Sequence, residues 1–309
     1  MFQKLLRGAA ALALFAGPLA HAQEAPATAP ARTEVAAATR DADPAIWVVK
    51  DADTTIYLFG TVHVLKPGFG WFDEAVHDAF EDSDELVLEM IPPDMNEMQS
   101  KVMQMAMQMT GPSLRDKLGA EYRDTYKAVM DDLGLPVGAF DRFEPWFAAM
   151  TLSVLPVVKM GYDPNSGVEH VITEAATEEG KKISALETVD EQLGFFDTMP
   201  EDVQIAYLKT LLDGYADIGP ALDETVEQWA DGNPEKLGEL MNEGMIETPG
   251  VAARLLTERN QRWAIWIDNR MDQPGTVFVA VGAGHLAGND SVQEFLKREH
   301  GLTAERIEY

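Results

Sequence analysis

The chain has 309 residues, 46% of them hydrophobic, no cysteine, and a formal net charge of −28. The lack of cysteine excludes disulfides, thiolate nucleophiles and cysteine metal sites, so any metal must be held by His, Asp, Glu or backbone oxygen. A surface this acidic repels phosphate backbones and anionic lipid heads, which argues against a nucleic-acid partner and otherwise serves solubility.

The chain opens with Lys4 and Arg7, an apolar stretch from Gly8 to Gly17, and Ala20-His21-Ala22. This three-part pattern predicts a secretory signal peptide over 1–22, with cleavage before Gln23 and export, most simply to a periplasm. Its apolar segment is about half the roughly 20 residues needed to cross a bilayer, so no stable membrane span is expected after cleavage. Residues 23–43 are rich in Ala, Pro and Thr and read as a disordered leader. The folded domain is expected over 44–309, long enough for one core without staples.

In "PAIWVVKDADTTIYLFGTVH" two apolar runs flank Asp51-Ala52-Asp53, predicting a β-hairpin whose second strand ends at Gly60 and leads to His63. "DELVLEMIPPD" predicts a strand ending at Glu89. A helical insertion is expected over about 94–175, and "KKISALET" returns to strand at Glu187. A second helical stretch runs over about 188–271. Then "TVFVAVGAGHLAG" predicts a core strand ending at Gly282 and leading to His285, followed by a helix and a last short strand in "AERIEY". Strands alternating with helices predict an α/β fold, a central mixed sheet with a large helical insertion.

Four predicted strands therefore end near His63, Glu89, Glu187 and His285. Ligands of open α/β sheets bind beyond the carboxyl ends of the strands, so the four side chains are expected to share one crevice. Each histidine alone reads more readily as a structural residue, but both stand three positions after a glycine that closes an apolar strand. Two imidazoles and two carboxylates without cysteine suit a divalent Zn, Mn, Co or Fe ion. The same groups could perform metal-free hydrolysis, with Glu as base and His as acid. Spacing does not separate these readings.

Elsewhere, Arg259 could orient a carboxylate or bind an oxyanion, or simply pair with an acid such as Glu187 or Glu258. Asp163 in "GYDPN" is expected to cap a helix. Glu169 and His170 diverge around a predicted helix and are assigned surface or packing roles, and His77 and His300 are taken as structural. Met95, Met98, Val102, Met105 and Met109 follow the spacing of one helix face, which predicts an apolar helix that packs or covers a cleft; Cu(I) binding by the thioethers is the alternative.

The blocks "YLFGTVHVLKPG", "LVLEM", "GYDPN", "ISALETVDEQ", "TERNQRW" and "VFVAVGAGHLAG" together resemble the TraB/GumN family, which includes the Tiki metalloproteases. The two GxxH motifs are the most specific part. The resemblance implies an architecture like that of erythromycin-esterase-like (EreA) and ChaN-like proteins. It also implies a divalent metal, Mn, Co or Zn, held by His63 and His285 with Glu89 and Glu187, and a peptide or small-molecule substrate. The leading expectation is thus an exported metal-dependent hydrolase of peptidase type, with Glu89, Glu187 and Arg259 as catalytic groups. A metal-free His/Glu esterase-like hydrolase is the alternative, and a non-catalytic metal- or ligand-binding protein is a third reading.

Overall fold

The computed structural model describes residues 40–245 and 249–309. The predicted signal segment, and the leader up to residue 39, lie outside the described residues. Strands β1 (Ile46–Lys50) and β2 (Thr54–Thr61) form the expected antiparallel hairpin. Asp51 shapes its turn by accepting hydrogen bonds from the backbone N–H groups of Asp53 and Thr54. β3 (Glu85–Leu88), β4 (Lys182–Ala185) and β5 (Gly275–Gly282) are parallel to β2, and β6 (Glu305–Arg306) closes a six-stranded sheet of order β4-β3-β5-β2-β1-β6.

The parallel strands β2, β3 and β5 are largely buried on both faces, which is why they read as continuous apolar runs, while β4 at the sheet edge is only half-buried. Phe59, Leu86, Leu88, Phe278 and Ala280 enter one core, while Ile56, Leu58, Val87, Val277, Val279 and Val281 enter the other. Alternation with period two thus divides each strand between two layers of helix.

The helices in chain order are α1 (Glu74–Glu81), α2 (Met95–Ala106), α3 (Leu114–Leu118), α4 (Arg123–Leu133), α5 (Pro145–Lys159) and α6 (Val168–Glu178). After β4 follow α7 (Val189–Asp197), α8 (Glu201–Gly214), α9 (Ile218–Ala230), α10 (Pro234–Met245), α11 (Pro249–Ala252) and α12 (Glu258–Met271), and α13 (Val292–Phe295) follows β5. The fold is α/β with a mixed sheet and large helical insertions, one between β3 and β4 and another between β4 and β5. Among the described residues, no helix is long and apolar enough to cross a membrane.

The methionine helix is shorter than its spacing suggests. α2 buries Met98 and Val102 against Trp146, Leu193 and Phe196, but it ends at Ala106. Beyond it, backbone bonds from Gln108 N–H to Arg142 and from Glu144 N–H to the Ala106 carbonyl draw the chain into an extended bridge at Met107. Met95 and Met109 are left exposed. Asp163 behaves as expected of a cap, accepting from the Asn165 N–H at the start of a 3₁₀ turn.

Candidate functional site

The order of the parallel strands lays the four strand-end residues along one edge, Glu187 after β4, Glu89 after β3, His285 after β5 and His63 after β2. Glycine makes the edge tight. A Cβ on Gly60 would meet the Ala283 backbone at 3.1 Å, and one on Gly282 would meet Glu89 Oε1 at 3.2 Å and His63 Nε2 at 3.8 Å. The Gly282 N–H donates to Glu89 Oε1 at 2.7 Å, fixing the carboxylate across the strand gap.

Arg259 fills the centre. α12 buries Arg259, Asn260, Trp263, Ala264, Ile267 and Met271. Its first turn is polar where it passes the strand ends, and its later turns are apolar where they lie on the sheet. The guanidinium donates from Nε to both Glu187 oxygens at 2.9 and 3.1 Å, and from Nη2 to Glu187 at 2.8 Å and Glu89 at 2.5 Å. Nη1 donates to the Leu255 carbonyl at 3.1 Å and lies 3.0 Å from His285 Nε2. The Phe195 and Trp263 rings pack against it at 5.3 and 4.7 Å.

Gln192 also joins the two carboxylates. A capping box between Thr188 and Glu191 starts α7 directly after Glu187. One turn in, Gln192 Nε2 donates to Glu89 at 3.2 Å and to Glu187 at 3.1 Å. Burial by itself pushes the Glu89 carboxyl upward, but the Arg259 charge overrides it and holds the group well below the usual carboxylate range.

His285 is buried and neutral. Its Nδ1 lies 2.5 Å from Asn260 Oδ1, and Asn260 in turn donates to the Asp290 carbonyl at 2.6 Å. The amide oxygen accepts, so Nδ1 carries the hydrogen and Nε2 accepts from Arg259. Burial and the Arg259 charge hold the imidazole down at about 3. His63 behaves in the opposite way. Burial draws it down, yet the Glu169 carboxylate, bonded to Nδ1 at 2.5 Å, and the Glu89 charge raise it to about 8.

His63, Glu89, Arg259 and His285 line a cavity of about 20 Å³, walled on its apolar side by Leu237 and Leu256. That is room for one water molecule.

The arrangement corrects the expectation of a metal-dependent peptidase with Mn, Co or Zn on His63, His285, Glu89 and Glu187. Among the described residues, no group of three or more His, Asp or Glu side chains is placed to hold a metal ion. The physical reason is Arg259. A fixed cation already pairs with both carboxylates, and it takes the His285 lone pair that a metal would need.

All five residues singled out in the sequence meet here, though Glu187 bonds Arg259 and Arg262 and does not line the cavity. Sequence reasoning gave Glu169 a surface or packing role, whereas its carboxylate bonds Thr61 and His63, and it overlooked Gln192 and the role of Asn260. The signals were Gly167 two residues before Glu169, the capping-box sequence that fixes Gln192, and the adjacency of Asn260 to Arg259. His77, His170 and His300 pair away from the site with Glu81, Glu174 and Asp268.

Comparison with known proteins gives a match to the TraB/PrgY/gumN family over residues 45–306. An uncharacterized protein of Treponema pallidum (strain Nichols) is 22% identical over 271 residues, covering 83% of this chain and 81% of that protein. The uncharacterized protein YbaP of Escherichia coli (strain K12) is 21% identical over 257 residues, covering 82% of this chain and 92% of its own. No solved structure gives a significant match.

Proposed function

The chain belongs to the TraB/PrgY/gumN family, and from that premise we propose that it is a metal-free hydrolase of the His/Glu, esterase-like kind. The observation that carries this reading is His63, whose Nδ1 is held by Glu169 while Nε2 borders a water-sized cavity beside Glu89. In this mechanism a water enters the cavity, and Glu89 accepts one of its hydrogens and orients it. Its depressed pKa makes it a poor base, so proton removal falls to His63. The water oxygen bonds to the ester carbonyl carbon as its proton passes to Nε2, and the carbonyl electron pair moves onto oxygen. The oxyanion's electron pair then re-forms the carbonyl as the bond to the alcohol oxygen breaks, and the imidazolium gives its proton to the departing alkoxide, leaving the acid and the alcohol. Arg259 keeps Glu89 in place and sets positive charge beside the forming oxyanion.

The reading takes the architecture as akin to the erythromycin-esterase-like and ChaN-like proteins, supported by four strand-end side chains on one edge of a mixed sheet. It also keeps residues 1–22 as an export signal.

The test is hydrolysis of a panel of p-nitrophenyl esters by the parent and by His63→Gln. The parent's kcat/KM should rise with pH through about 8, where His63 loses its proton, and the variant should lose about 10²- to 10⁴-fold. Equal rates in the two proteins would refute the role of His63. A parent that binds these esters without turning them over would leave a binding protein instead.

A further inference from the structure

Helix α6 reaches the site over a route that only glycine allows. A Cβ on Gly167 would lie 2.1 Å from the His63 carbonyl oxygen, so the bare backbone lets the start of α6 press against the end of β2. The Val168 N–H donates to the Val62 carbonyl at 3.0 Å and fastens this contact. Glu169, the next residue, turns its carboxylate between Thr61 and His63. The Thr61 hydroxyl and His63 Nδ1 both bond the same oxygen, Oε1.

A carboxylate accepts, so the hydrogen between them belongs to Nδ1. The opposite nitrogen, Nε2, lies on the cavity side of the ring, next to Gly282. The other charged or titratable groups facing the ring are Glu89 after β3, Arg259 on α12 and His285 after β5. None of them bonds Nδ1. The tautomer of His63 is therefore set by one partner.

We propose that Glu169 is a positioning residue that fixes the tautomer of His63, holding the Nδ1 hydrogen so that Nε2 presents its lone pair to the cavity. This deepens the hydrolase reading and rests on it for catalytic meaning. Thr61 completes the device by supplying a second hydrogen bond that orients the carboxylate. A neutral imidazole free in water favours the hydrogen on Nε2, the form that could not take a proton from a water in the cavity.

The experiment is nitrogen-15 NMR of the His63 ring in the full chain, recorded across its titration in the parent, Glu169→Gln and Glu169→Ala. Above its transition, the parent should carry the hydrogen on Nδ1. The glutamine oxygen can still accept, so Glu169→Gln should keep that tautomer and titrate at lower pH because the charge is gone. Glu169→Ala should shift the hydrogen to Nε2 and lower kcat/KM on p-nitrophenyl esters by at least about 10-fold. A parent ring with the hydrogen on Nε2, or an alanine variant that keeps it on Nδ1, would overturn the assignment. Ring shifts as expected with no ester turnover in any protein would uphold the tautomer device and sink the hydrolase. Turnover in the parent with an unchanged ring in Glu169→Ala would do the reverse.

Discussion

Arg259 decides the charge balance of the buried edge, because both Glu89 and Glu187 depend on its guanidinium. Removing it leaves two buried carboxylates without their main partner, and such losses cost about 3–5 kcal/mol. Arg259→Met is therefore expected to destabilise by that amount in urea unfolding, and Arg259→Lys by less, since lysine restores the charge but not the planar fork. Equal stability of Arg259→Met and the parent would contradict the arrangement. His63 makes a separate, pH-dependent contribution. Its folded value of about 8 lies above the ordinary 6.5, so the ionised pair with Glu169 stabilises fully below pH 6.5 and is lost as pH rises through 8. The shift corresponds to about 2 kcal/mol. The stability gap between the parent and His63→Gln should shrink by about that much from the acid to the alkaline side of this window; a constant gap would show that the pair does not form.

At the scale of elements, the sheet was legible because buried parallel strands leave an unmistakable trace. "VFVAV" and "IYLF" are uninterrupted apolar runs closed by glycine, and they became β5 and β2 with their histidines at the predicted edge. The helical insertions were legible as helices but not in their packing. Glu169 stands 106 residues from His63 along the chain, and although Gly167 in "SGVEH" signals a close approach, nothing local says which strand end it meets. Even α2 illustrates the gap, since its apolar spacing continues to Met109 while backbone pairing with residues 142–144 ends the helix at Ala106. Two methionines in the same predicted stripe should thus respond differently. Met98→Ala, at 8% exposure, is expected to cost about 2–5 kcal/mol in urea unfolding. Met109→Ala, at 79% exposure, should fall within about 0.5 kcal/mol of the parent. Matching effects would mean that α2 does not end where it is seen to end.

Over the whole molecule, the two GxxH motifs identified the edge of the sheet but not its chemistry. A set of two histidines and two glutamates composes equally well into a metal centre or into a network around an arginine. The sequence holds Arg259 on a helix distant from three of the four, and only the folded chain brings its guanidinium between the carboxylates and its Nη1 to His285. One cation at that point removes the place for another, and the proposed reaction rests on His63 and the water-sized cavity beside it. The measurement that tests this most directly is the rate of p-nitrophenyl ester hydrolysis by the purified protein before and after exhaustive chelation. Each sample is assayed again with Mn, Co or Zn restored. The account predicts one unchanged rate throughout, abolished by His63→Gln. Activity lost to the chelator and recovered with a metal would contradict it.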